Sequence, residues 1–214
     1  MCSPATHAPE RLTQEGVWVS AVTRRFTTPT PGLLLDRDGV LVSSVNYLSR
    51  RQDVKVMPGA VALLRWATAR GLPVAVVSNQ SGIARGLFGW DDFSAVQEEI
   101  SDRLADEGVR IDLMIACPFH PEHTKNWDAT HARWRKPGPG MLEYAAELLN
   151  LDLGRSWMIG DAESDIAAAR AAGMAGAVHV FAPKDSALEA EMPFTVYPVA
   201  ELGDAITVLQ PHFA

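Results

Sequence analysis

Gly32-Leu33-Leu34-Leu35-Asp36-Arg37-Asp38-Gly39-Val40-Leu41 is the stretch from which the rest of this chain can be read. Three leucines running into two carboxylates two residues apart, then Gly, describe a buried strand that stops abruptly at an acidic turn. Alternate side chains of a strand share a face, so Asp36 and Asp38 are expected to meet one ligand while Arg37 points the other way. Two carboxylates this close repel, and each raises the pKa of the other unless a cation neutralises them. A hard divalent ion such as Mg²⁺ is therefore expected here.

The same pattern recurs downstream. Leu72-Pro-Val-Ala-Val-Val77 reads as a second buried strand ending in Ser78-Asn79-Gln80-Ser81-Gly82-Ile83-Ala84-Arg85-Gly86, and Ile111 to Ala116 as a third. Ser156 to Gly160 is a short strand followed by Asp161-Ala-Glu-Ser-Asp165, and Ala177 to Phe181 reads as the last core strand. Helices are expected between them: one from Pro58 to Gly71, one from Asp91 or Asp92 to Glu107, one over Met141–Leu149 and an Ala-rich one closed by Gly173. A terminal helix is expected over Leu202–Leu209. This alternation predicts an α/β fold with a doubly wound, Rossmann-like parallel sheet, in which ligands bind at the carboxyl ends of the strands. Asp36, Ser78 and Asp161 all fall at such ends.

Residues 1–31, rich in Thr, Pro and Ser with only Val17-Trp18-Val19 and Phe26 as apolar punctuation, read as an N-terminal tail of irregular structure with at most one short edge strand, leaving 32–214 as a single domain. Forty-seven per cent hydrophobic and 21% charged residues are ordinary for a water-soluble domain. A formal net charge of -7 gives no general attraction for nucleic acid or an anionic membrane, so a phosphate would need a local basic pocket. Two cysteines, Cys2 and Cys117, make no disulfide framework and fit a reducing cytoplasm. No apolar run is long enough for a membrane span, and no secretory signal is expected. The oligomeric state is open, with a monomer slightly favoured.

With these residues in place, DRDGV at 36–40, SNQSGIARG at 78–86, RKPGPGM at 135–141 and GDAESD at 160–165 resemble the four motifs of the haloacid dehalogenase (HAD) superfamily of aspartate-nucleophile phosphatases. The likeness is to the branch that holds heptose 1,7-bisphosphate phosphatases and histidinol-phosphatases. The resemblance implies Asp36 as nucleophile and Asp38 as general acid and base, with Mg²⁺ held by Asp36, the Asp38 backbone carbonyl and Asp161. Asp165 would support that site from behind. It further implies Ser78 and the amides around Asn79 as phosphate donors, and Lys136 clamping phosphate and nucleophile. Arg85 and Arg135 flank the expected entrance and suit a second phosphate or sugar hydroxyls. The expected activity is Mg²⁺-dependent hydrolysis of a small phosphorylated metabolite, foremost a sugar bisphosphate. Histidinol phosphate is the alternative substrate, and a non-catalytic phosphate-binding or scaffolding domain the alternative of another class.

Spacing and departures refine this. About 17 residues separate Asp38 from the Pro58 helix, and Cys117–Pro137 is a long loop; neither gap holds a large cap domain. Many relatives carry zinc in that loop through Cys-x-His and Cys-x-Cys. Here Cys117 remains, but Phe119, Ala132 and Trp134 stand where the other ligands would be, so structural zinc is not expected. Packing of Trp127, Trp134 and Phe119 is expected to shape the loop instead. Whether Cys117, His120, His123 and His131 hold any metal stays open. Ala162, where heptose enzymes often have Lys, weakens assignment of the heptose substrate.

Overall fold

Leu33, Leu34 and Leu35 have no solvent exposure, which a strand achieves only with neighbours on both edges and layers on both faces. The computed structural model describes residues 11–182, 189–191 and 194–213. Its first elements are β1 (Arg11–Leu12), β2 (Trp18–Val19), β3 (Leu33–Leu35), α1 (Ala60–Ala69), β4 (Val74–Asn79), α2 (Ser81–Ala84), α3 (Trp90–Asp106) and β5 (Leu113–Cys117). There follow α4 (Ala129–Trp134), α5 (Gly140–Leu149), β6 (Trp157–Gly160), α6 (Glu163–Ala171), β7 (Gly176–Val180), β8 (Glu189–Glu191), β9 (Phe194–Val199) and α7 (Ala205–Leu209).

The strand order is β1-β2-β5-β4-β3-β6-β7-β9-β8. From β5 through β9 the pairings are parallel; β2 and β1 add antiparallel at one edge and β8 at the other. The chain runs outward from β3 through β4 to β5, then crosses back to β6 on the other side of β3. That reversal makes the carboxyl ends of β3 and β6 the switch point, where open α/β sheets form a ligand crevice. Leu35 pairs with both Val76 and Ile159, so β3 and β6 end within one residue of each other while β4 runs three residues further, to Asn79.

Alternation along β3 sorts the core. Leu33 and Leu35 pack with Leu63, Leu64, Phe93, Ile100 and Leu209, placing α1, α3 and α7 on one face. Leu34 packs with Met141, Leu142, Ala145, Ile166 and Ala169, placing α5 and α6 on the other. The expected doubly wound architecture is therefore present, and among the described residues neither 41–57 nor 117–137 forms a large cap. No helix of the described residues is long and apolar enough to cross a membrane.

Three readings change. The stretch expected as a tail contributes, from residue 11 on, two strands rather than at most one: Val17, Trp18 and Val19 are buried, and Trp18 stacks edge-on against Phe93 with ring centroids 5.1 Å apart. Residues 1–10 lie outside the described part. The 117–137 loop contains α4, whose first turn is capped by Asp128 accepting N–H bonds from Thr130 and His131. β7 is not the last core strand, since β9 pairs with it in parallel along its whole length.

Candidate active site

Asp36 follows β3 immediately, and its backbone N–H donates to Ile159 O of β6 at 2.9 Å, so the chain leaves the sheet pinned to the neighbouring strand. Its carboxylate Oδ1 lies 2.6 Å from Lys136 Nζ. Lys136 enters from the segment after α4. That segment is fastened to the end of β4 by a reciprocal pair: Asn79 Nδ2 donates to Lys136 O at 3.0 Å, and Lys136 N–H donates to Asn79 Oδ1 at 3.1 Å. Asn79 thus holds the lysine's backbone. The ammonium also donates to Val77 O at 2.8 Å and lies 2.6 Å from Asp165 Oδ1 as an ion pair. Asp165 stands in the first turn of α6, where its Oδ2 accepts the Ala162 N–H at 3.2 Å.

Oxygens of Asp36, Asp161 and Asp165 fall within 4.8 Å of one another. Two close approaches hold the wall together. Gly39 has φ +90°, and a side chain there would put its Cβ 2.1 Å from Asp161 Oδ2; a Cβ on Gly160 would lie 2.3 Å from that of Asp165. Three carboxylates therefore face one ammonium. Burial pushes Asp36 up to about 7, with Asp165 and Asp38 adding to the rise against the opposing pull of Lys136. Asp161 is raised by burial and by Asp165. Burial alone would lower Lys136, but Asp165 and Asp36 outweigh it and hold the ammonium charged. An all-oxygen donor set with surplus negative charge fits a hard divalent cation such as Mg²⁺.

A pH dependence follows. An acid with a higher pKa folded than unfolded binds its proton more tightly in the native state. Between about pH 4 and pH 7, Asp36 therefore subtracts stability as the pH rises, by up to about 1.4 kcal/mol per unit. Lys136 stays charged throughout and does not alter that slope. A bound divalent cation favours the carboxylate, so the rise in Tm on adding Mg²⁺ is expected to be larger at pH 8 than at pH 5. An equal or larger rise at pH 5 would contradict this cation site.

The Asp38 carboxylate is not grouped with the other three. The strand stops at Leu35, and in the turn Arg37 folds its guanidinium back onto Asp38, with Nη2 2.9 and 2.8 Å from the two oxygens and Nε 3.1 Å from Oδ1. Gln80 Nε2 donates to Asp38 Oδ2 at 2.8 Å and to Ser78 Oγ at 2.7 Å. Ser78 is buried near the end of β4, next in the chain to Val77, whose carbonyl accepts from Lys136 Nζ. Arg135 is half-buried and donates from Nη1 to Phe119 O at 2.9 Å, while Arg85 Nη2 lies 3.0 Å from His120 Nε2. Arginine has no acceptor, so His120 Nε2 accepts from Arg85 in that contact; His120 Nδ1 lies 3.2 Å from the Glu122 backbone nitrogen. Burial first, then Arg85 and Arg135, keep His120 below its ordinary pKa.

The HAD-hydrolase-like family model matches residues 133–191, which carry Lys136, Asp161 and Asp165. Over 209 residues, 96% of this chain and 94% of its relative, the sequence is 36% identical to a D-glycero-beta-D-manno-heptose-1,7-bisphosphate 7-phosphatase of Mesorhizobium japonicum. The chain belongs to the haloacid dehalogenase superfamily. As a HAD phosphatase it is a phosphoric monoester hydrolase, which sets the scaffold reading aside. A HAD-like phosphatase of Mesorhizobium loti superposes with a TM-score of 0.84 at 36% identity, covering 95% of this chain and 98% of that one. The D,D-heptose 1,7-bisphosphate phosphatase of B. bronchiseptica, crystallised with magnesium and phosphate, gives 0.69 at 25% identity over 84% and 98% of the two chains.

In this HAD phosphatase the residues of the 117–137 loop do not fit a four-ligand zinc site. Cys117 is buried in the core and its thiol is pushed up to about 12 by that burial. Phe119 and Trp134 are buried, with Phe119 edge-on to His131 at 4.5 Å, Trp127 stacked on His131 at 5.9 Å, and Trp134 edge-on to Tyr144 at 5.5 Å. His120, Glu122 and His123 offer atoms within 4.8 Å of one another, but the Arg85 guanidinium sits against His120. Two polar residues were not anticipated as site members from the sequence: Arg37 and Gln80. For both the available signal was position, inside the DRD and SNQSG motifs.

Proposed function

We propose that this HAD phosphatase hydrolyses a small sugar bisphosphate in the cytoplasm, with D-glycero-D-manno-heptose 1,7-bisphosphate as leading candidate, through an aspartyl-phosphate on Asp36. The observation that carries the chemistry is the buried Asp36 carboxylate 2.6 Å from Lys136 Nζ at the switch point of the sheet. The named relatives support the substrate class. The Asp36 carboxylate oxygen attacks phosphorus and the ester P–O bond breaks. Asp38 gives a proton to the departing alcohol oxygen. Asp38, now a carboxylate, takes a proton from water as that water attacks the acyl phosphate, so that phosphate leaves and Asp36 is restored. Lys136 and the Ser78 hydroxyl offset charge on the phosphoryl oxygens. Asp36, Asp161 and the Asp38 backbone carbonyl would hold Mg²⁺, with Asp165 behind; when bound it lessens the repulsion between carboxylate and phosphate.

Arg135 and Arg85 flank the expected entrance, and we assign these two cations to the second phosphate. Arg135→Ala is expected to cost about 1.5 to 3 kcal/mol in kcat/KM on a sugar bisphosphate, the scale of a charge-assisted contact, with a smaller loss on the monophosphate. The assay is a panel of heptose and hexose bisphosphates, their monophosphates and histidinol phosphate, each with Mg²⁺ and with excess EDTA. Equal Arg135→Ala losses on bisphosphate and monophosphate would remove the second-phosphate role and favour histidinol phosphate. Full activity in EDTA would remove the metal.

A further inference from the structure

Arg37 is 1% exposed, yet it carries a charge into a face built from Phe93, Leu33 and Leu35. Its guanidinium lies over the Phe93 ring, 5.2 Å from the centroid. Nε and Nη2 are spent on Asp38, Nη2 also donates to Gln80 Oε1 at 3.0 Å, and Nη1 is buried without a partner. Burying a cation with one donor unmet costs stability, and apolar replacements of buried ion pairs are often neutral or stabilising. Core packing therefore gives no reason for an arginine here. Gln80 is also buried and has every group of its amide engaged: the oxygen by Arg37, one N–H bond to Asp38 and one to Ser78. The arginine thus dictates which way the amide faces, and both residues converge on the one carboxylate that stands apart from the metal-type cluster.

We propose that Arg37 and Gln80 are positioning residues for Asp38, setting where its carboxyl group sits relative to the departing alcohol oxygen. This rests on the proposed role of Asp38 as general acid. Positioning of an acid has a signature that packing lacks: it matters in proportion to how badly the leaving group needs a proton. A sugar alkoxide needs one, whereas p-nitrophenolate departs without.

The test compares kcat/KM, which reports steps up to departure of the leaving group, for a sugar phosphate and for p-nitrophenyl phosphate. Arg37→Met is the main variant; Gln80→Met is the second, and decides alone if Arg37→Met does not fold by thermal melting. Each is expected to lose about tenfold to a hundredfold on the sugar phosphate, part of the usual general-acid contribution, and less than about threefold on p-nitrophenyl phosphate. Equal losses on both esters, or no loss on the sugar phosphate, would overturn the positioning role while leaving the proposed function intact. A wild-type enzyme that hydrolyses neither ester would overturn both.

Discussion

Replacing Asp36 by Asn is expected to abolish phosphate release, by more than about a thousandfold or roughly 4 kcal/mol, while leaving the chain folded. The amide oxygen can still accept from Lys136 Nζ, now 2.6 Å from Asp36 Oδ1, so the local geometry is retained. What is lost is the anionic nucleophile. Stability is not expected to fall, because the substitution removes one of three crowded acids from a site where burial already pushes Asp36 up to about 7. Phosphate release and thermal melting are measured on the same preparation. A folded variant that keeps more than about a tenth of the wild-type rate would end the covalent reading.

Lys136→Met carries the second large effect, and its outcome is double. The ammonium is almost fully buried and is shared by Asp36, Asp165 and the Val77 carbonyl. Its removal leaves buried carboxylates without their cation, which typically costs about 3 to 5 kcal/mol. Because a divalent cation can take up part of that uncompensated charge, Mg²⁺ is expected to raise the Tm of Lys136→Met by more than that of the wild type. Turnover is expected to stay far below wild type even at saturating Mg²⁺, since the phosphoryl oxygens lose a fixed donor. A variant as stable as wild type without Mg²⁺ would show that the ion pairs do not hold this site, and near-normal turnover would remove Lys136 from the chemistry.

The parts of this structure that were legible in the sequence are those that depend on short-range pattern. Buried parallel strands are unbroken apolar runs, and polar residues at their ends mark one edge of the sheet. That is why Asp36, Ser78 and Asp161 are placed together by pattern alone, whereas Lys136 and Asp165 are implied only by the resemblance to the HAD motifs. Long-range pairing left weaker traces. Val17-Trp18-Val19 is three apolar residues in a Thr- and Pro-rich stretch, and only its pairing with β5 and the contact with Phe93 make it a strand. β9 includes Pro198, which argues against a strand when read locally. α4 has six residues, too few to show a helical period.

The orientation of the Asp38 carboxylate was less legible, for a more instructive reason. Alternation of side chains holds only while the strand continues, and the chain turns directly after Leu35. Past that point direction is set by partners, here a guanidinium one residue away and an amide 42 residues on. Nothing in the spacing of the DRD motif announces the Gln80 contact, although its place in SNQSG, directly after β4, puts it at the same edge of the sheet.

Rapid-quench trapping of the enzyme during turnover decides whether Asp36 takes the phosphoryl group. Enzyme mixed with Mg²⁺ and substrate is quenched in acid within the first turnover, reduced with borohydride, digested and analysed by mass spectrometry. An aspartyl-phosphate at position 36 is converted to homoserine, so the peptide carrying Leu33–Leu41 should contain homoserine in place of Asp36 and in no sample lacking substrate. Steady release of phosphate with Asp36 unmodified at every quench time, or the label on another residue, would contradict the account.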